Sequence, residues 1–227
     1  MTAPVRMQRS PGSRPAHAPI DGVVLAGGHS RRLGLDKTML RLWGPQGPTL
    51  LEATIAALRD VCDQVWVVSD GPRDWPALDV PVVFDRYAGG GVLGGIYTGL
   101  LAAGRPFVLV VACDMPFLNR DLLAYMASQR RDYDVLIPRH ASPGGESAGW
   151  VEPLHAIYGR PCLEPMRQVL ERGGRRIVDF FPQVQVRYLE EEDWARFDPE
   201  GRSFHNINTP EDVAEVQSIL RRLGTLR

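Results

Sequence analysis

The stretch Ile20-Asp21-Gly22-Val23-Val24-Leu25-Ala26-Gly27-Gly28-His29-Ser30-Arg31-Arg32-Leu33-Gly34-Leu35-Asp36-Lys37 decides the fold. Residues 20–26 are apolar apart from Asp21 and Gly22, as a buried strand requires. Two consecutive glycines then let the backbone turn tightly and bring its N–H groups close to a ligand. Arg31, Arg32 and Lys37 follow at once and supply the cations that a polyphosphate needs. Strand, glycine turn and cations together point to a nucleotide.

Outward from this stretch, apolar runs and helical patterns alternate. That alternation predicts an α/β fold of three layers, doubly wound around a mostly parallel sheet. Strands are expected over 64–69, 81–84, 107–113, 134–138, 153–158 and 184–189, and helices over 49–61, 94–104, 119–130 and 161–173. The 107–113 run, FVLVVAC, is apolar on both faces, as a central parallel strand should be. Thr49 and Glu52 have capping-box spacing, and Thr209-Pro210-Glu211-Asp212 opens a last helix with a cap, a proline and two acids. Residues 139–150, rich in Gly, Ser and Pro, are expected to form a loop.

Composition narrows the function classes. The 227 residues carry 26 Lys and Arg against 27 Asp and Glu, a net charge of -1, which leaves no bulk electrostatic attraction for nucleic acid or an anionic membrane. Any anion site must be local. Cys62, Cys113 and Cys162 are far apart and form no C-x-x-C pair, so neither a disulfide framework nor a zinc site is expected, and the cytoplasm is the default compartment. Residues 1–19 are rich in Pro and Arg without apolar periodicity and are expected to form a disordered tail, with 20–227 a single domain.

The better-known phosphate loops do not fit. Gly27-Gly28 followed by Gly34 is not G-x-G-x-x-G, and Lys37-Thr38 comes too late for a P-loop. The stretch instead resembles L-A-G-G-x-S-x-R-M-G-x-D-K, the signature of the molybdenum cofactor guanylyltransferases, with Leu33 in place of Met. The resemblance continues to the last helix. Cys113-Asp114-Met115-Pro116 resembles the family's metal-binding motif, and Phe204-His205-Asn206-Ile207-Asn208-Thr209-Pro210-Glu211-Asp212 resembles F-x-N-I-N-T-P-E-D. Val92-Leu93-Gly94-Gly95 stands where the family reads P-L-A-G, and Ser69-Asp70 stands where it shows an Asn near the base or ribose.

The resemblance implies a Rossmann-like nucleotidyltransferase fold and transfer of GMP from GTP to the phosphate of molybdopterin or the molybdenum cofactor, with release of pyrophosphate. It implies Arg32, Lys37 and Asp114 as catalytic residues, with Mg²⁺ on Asp114. Leu25, Ala26, Gly27, Gly28, Lys37, Asp85, Gly94, Gly95 and Asp114 would bind GTP. Arg175, Arg176, Asn206 and Asn208 are candidates for the pterin side. Cofactor-donor proteins and acceptor molybdoenzymes are the implied protein partners. Residue by residue, simpler roles stay open: Asp114 as a turn cap, Gly89 to Gly95 as a linker, Arg175-Arg176 as a solvated pair. At the level of function the alternatives are a cytidylyltransferase for the same cofactor, a sugar-phosphate or phospholactate nucleotidyltransferase, and a nucleotide-binding adaptor without chemistry. Asn206 and Asn208, two apart, are expected to face the same side of an extended segment. His155 is expected to be a core group rather than a base.

Overall fold

In the computed structural model, residues 19–27, 36–142 and 149–224 are described. Residues 1–18 of the expected tail, Gly28, Arg32 and the middle of the 139–150 loop lie outside them. Among the described residues seven strands form one sheet: β1 (Asp21–Leu25), β2 (Val65–Ser69), β3 (Val82–Phe84), β4 (Phe107–Ala112), β5 (Val135–Pro138), β6 (His155–Gly159) and β7 (Val186–Leu189). Their order is β3-β2-β1-β4-β6-β5-β7. Only β6 runs against its neighbours, pairing antiparallel with β4 and β5.

The helices are α1 (Leu50–Arg59), α2 (Gly91–Ala102), α3 (Arg120–Ser128), α4 (Leu163–Glu171), the short α5 (Glu191–Trp194) and α6 (Pro210–Arg222). They cover both faces and make the three layers. On one face Leu50, Ile55 and Leu58 of α1, Leu122 and Met126 of α3, and Val216 and Leu220 of α6 bury against Leu109 and Val111 of β4. On the other, Leu93, Ile96 and Leu100 of α2 and Met166 and Val169 of α4 meet Val108 and Val110. Strand β4 is therefore apolar on both sides because both sides are core. None of these helices is long and apolar enough to cross a membrane.

Local chemistry explains where the helices begin. Thr49 Oγ1 accepts from Glu52 N at 3.2 Å while Glu52 Oε2 accepts from Thr49 N at 2.7 Å, closing the reciprocal cap of α1. Helix α2 starts at Gly91, earlier than the periodicity predicts, because Gly89 and Gly91 take positive φ values of 75° and 60° and turn the chain directly into it. Glycine has a second use inside that helix. A Cβ on Gly99 would lie 2.5 Å from Val23 Cγ1, and one on Gly95 would lie 3.3 Å from Leu25 Cδ2. The helix thus rests on β1 at backbone distance, and its N-terminus reaches the end of that strand.

The strand order reverses between β1 and β4. From β1 the chain crosses through α1 to β2 on one side, while β4 is reached through α2 on the opposite face. A crevice opens at such a switch point, beyond the carboxyl ends of the strands.

Candidate active site

A cleft of about 460 Å³ occupies this switch point. Its wall is formed by Leu25, Ala26 and Gly27 after β1, Ser69 and Asp70 at the end of β2, Asp85 after β3, Gly89, Gly91 and Gly95 at the start of α2, Asp114 after β4, and Lys37. Gly27 is shaped by its neighbour, since a Cβ there would lie 3.3 Å from Asp70 N.

Lys37 is held from below. It opens a 3-10 turn, Lys37–Met39, whose cap Asp36 accepts with Oδ1 from Thr38 N at 3.0 Å and from Thr38 Oγ1 at 2.6 Å. The Thr38 hydroxyl in turn accepts from Trp75 Nε1 at 2.8 Å. Arg73 lies 2.6 Å from Asp70 and 3.6 Å from Asp36, tying the end of β2 to the exit of the glycine turn. Lys37 Nζ then donates to Asp114 Oδ2 at 3.1 Å and to Asn208 Oδ1 at 2.9 Å. Three segments far apart in sequence so converge on one ammonium group. The backbone closes the same junction, with Ile207 N donating to Asp114 O at 3.0 Å.

Asp85 is committed differently. Its Oδ1 accepts from Tyr87 N at 3.0 Å and from Thr98 Oγ1 at 3.1 Å, stapling the end of β3 to α2. Gly94 does not line the cleft. It faces this carboxylate, where a Cβ would lie 2.9 Å from Oδ2. The glycine makes room for Asp85 inside the helix packing.

The expected pterin-side residues also separate. The Arg175 guanidinium lies within 3.6 Å of where a Gly89 Cβ would stand, at the rim of the cleft. Arg176 is exposed and lies 3.8 Å from Asp179. Asn208 is at the Lys37 junction, but Asn206 is not: its Nδ2 donates back to Phe204 O at 3.2 Å across the end of the 3-10 turn Arg202–Phe204, and its Oδ1 is buried without a partner. The two amides therefore have different hydrogen-bond partners. Gly28 and Arg32 lie outside the described residues.

Ser69 and Asp70, which the sequence only set where the family shows an Asn, line the cleft, and Arg73 and Trp75 are supports that sequence reasoning missed. Their one sequence signal is Asp70-Gly71-Pro72-Arg73, a turn directly after a buried strand.

No group of three or more His, Cys, Asp or Glu side chains gathers to hold a metal among the described residues. Asp114 Oδ2 and Asn208 Oδ1 nonetheless converge on a cation, and both are hard oxygen donors. That set suits Mg²⁺, which takes one or two protein oxygens and completes its shell with phosphate and water. Cys113, beside Asp114, is no nucleophile: burial, reinforced by the Asp114 charge, drives its thiol far above the ordinary range.

His155 is fully buried, with neither ring nitrogen hydrogen-bonded, as expected of a core group. Burial lowers its imidazole to about 4. Between pH 6.5 and pH 4 the unfolded chain binds a proton there that the folded chain refuses, so stability is lost as pH falls through this window. His155→Leu is expected to narrow the gap in urea-unfolding stability between pH 7 and pH 5 by on the order of 2 kcal/mol. An unchanged gap would show that the ring keeps its charge inside the fold.

Comparison with known proteins follows the same lines. Residues 22–187 match the family of MobA-like NTP transferase domains. A probable molybdenum cofactor guanylyltransferase of Chloroflexus aggregans is 41% identical over 211 residues, covering 91% of this chain and 97% of that one. Another from Pelotomaculum thermopropionicum is 35% identical, covering 91% and 96%. Among solved structures, molybdopterin-guanine dinucleotide biosynthesis protein A of Archaeoglobus fulgidus superposes with a TM-score of 0.74 at 27% identity, covering 89% of this chain and 100% of that one.

Proposed function

Because the chain belongs to the MobA-like NTP transferase domain family, among the molybdenum cofactor guanylyltransferases, we propose that it transfers GMP from GTP to the terminal phosphate of molybdopterin or its molybdenum form and releases pyrophosphate. The observation that carries this reading is the junction of Lys37, Asp114 and Asn208 at the open end of a cleft floored by Gly27.

The attacking group is a phosphate, already an anion, so no side chain has to remove a proton. Catalysis reduces to alignment at the α-phosphorus and to neutralising charge. The glycine turn after β1 and Lys37 are assigned to the triphosphate, with Lys37 exchanging Asp114 for a phosphate oxygen as the nucleotide enters. Arg32 adds a second cation from the glycine turn. The 3-10 turn under Lys37, fixed through Asp36, Thr38 and Trp75, keeps the ammonium at one place while it changes partner. Asp114 and Asn208 would hold Mg²⁺, which when bound offsets charge on the departing pyrophosphate. The second substrate enters from the β6 side of Asp114, opposite the nucleotide.

Pyrophosphate release from GTP, CTP and ATP, each with and without molybdopterin, tests the assignment. The expected result is release that depends on molybdopterin and favours GTP over CTP by at least about tenfold, the worth of one well-made hydrogen bond to the base edge. Equal or faster turnover of CTP would assign the chain to cytidylyl transfer. Release without molybdopterin dependence would point to another acceptor phosphate.

A further inference from the structure

One cluster of side chains plays no part in the junction around Lys37. At the carboxyl end of β5 the His140 ring stacks on Trp150, with centroids 4.5 Å apart and planes 12° from parallel. Trp194 and Phe204 close on the same imidazole at 4.9 Å and 5.1 Å, tilted and edge-on. Glu152 Oε1 lies 2.8 Å from His140 Nε2, and its carboxylate also takes a hydrogen bond from the Trp150 side chain. The backbone fixes the pair as well: His140 N donates to Trp150 O at 2.9 Å, and Arg139 and Val151 form an antiparallel bridge. Trp150 is nevertheless 56% exposed. An indole so firmly braced from behind, and left open in front, is a prepared flat surface rather than a stray apolar residue.

Its place in the fold gives it a use. Strands β4 and β5 point the same way, so Asp114 and Trp150 both lie beyond the carboxyl edge of the sheet. His140, on the extension of β5, stands two strand spacings, roughly 10 Å, from the line of β4, and Trp150 pairs with it on the chain that enters β6 between them. The intervening chain is continuous with the cleft: two residues after Glu152, Leu154 lines it and accepts from Ala112 N at 3.1 Å. A phosphate beside Asp114 and a planar ring within about 10 Å of it span the two points.

We propose that Trp150 is the stacking platform for the planar aminopyrimidinone ring of the acceptor's pterin, held in position by His140 and Glu152. This rests on the guanylyltransferase reading above and adds to it the residue that recognises the second substrate.

The test measures pyrophosphate release at saturating GTP over a range of molybdopterin concentrations for the wild type, Trp150→Ala and Trp150→Phe. Equilibrium dialysis of 6-hydroxymethylpterin phosphate against each protein gives a readout that needs no turnover. Loss of the stack is expected to raise the molybdopterin KM and the dialysis Kd of Trp150→Ala about tenfold, with KM for GTP unchanged and most of the loss recovered in Trp150→Phe. An unchanged molybdopterin KM and an unchanged Kd in Trp150→Ala would overturn the platform. A rise of KM for GTP equal to that for molybdopterin would also overturn it, since that is general damage to the site. If the wild type transfers nothing to molybdopterin, the guanylyltransferase reading fails, and the dialysis comparison still decides the stack.

Discussion

Asp114→Asn is expected to lower kcat by at least about 100-fold while leaving the thermal unfolding midpoint nearly unchanged. The size of the side chain is kept, and the backbone tie from Ile207 N to Asp114 O does not involve it. Asn also serves a turn almost as well as Asp, so a mere cap would survive the change. What disappears is the single anion at the junction, whose only hydrogen-bonded side-chain partner among the described contacts is Lys37. Each tenfold in rate is about 1.4 kcal/mol, so two decades ask about 3 kcal/mol of charge neutralisation from this carboxylate. Single-turnover rates across a Mg²⁺ titration check it, with partial recovery at high Mg²⁺ if affinity is the main loss. A near wild-type rate at limiting Mg²⁺ would remove Asp114 from the metal assignment. Asp85 would be a poor substitute, because Tyr87 N and Thr98 Oγ1 already occupy its Oδ1.

Lys37→Met should act on the other side of the same contact. Methionine keeps much of the apolar stem and removes the charge. A hydrogen bond to a charged group is worth roughly 1.5–3 kcal/mol, so kcat/KM for GTP is expected to fall by about 10- to 150-fold. Stability should hardly move. The Lys37 and Asp114 side chains are 17% and 25% exposed, a part-buried pair at the cleft wall that water can still reach once the ammonium is removed. The double variant with Asp114→Asn should lose less than the product of the two single losses, since both act on one contact. An unchanged kcat/KM alongside an unchanged unfolding midpoint would reduce Lys37 to a surface residue.

What could be read from the sequence divides along a physical line. Strands β1 and β4 are apolar runs long enough to be unambiguous, and the Thr49 and Thr209 caps are local in sequence, so fold class and the starts of α1 and α6 were legible, whereas the start of α2 at Gly91 was not. Asp114 and Lys37 stood out because each closes a strand-and-turn unit. The supports did not. Arg73 bonds Asp70 three residues before it, but it reaches Asp36 only after β2 is laid beside β1, and nothing in 70–80 announces that contact. Asn206 is a further case. The two-residue spacing describes extended chain, whereas a 3-10 turn precedes it and draws its amide back to Phe204. At Gly94 the sequence does not distinguish a glycine that frees the backbone from one that admits a neighbour such as Asp85.

The glycines of α2 have a consequence for how the protein assembles. Gly91, Gly94, Gly95 and Gly99 lie within its 12 residues. At roughly 1 kcal/mol each relative to alanine, they burden the isolated segment by about 4 kcal/mol, so it has little tendency to be helical alone. Its order is borrowed from β1, against which Gly95 and Gly99 close. During folding this helix should therefore form late, as a clasp laid over a sheet that already exists. The cleft wall made by Gly89, Gly91 and Gly95 then comes into being only in that final docking step, and amide exchange along α2 reports on it residue by residue.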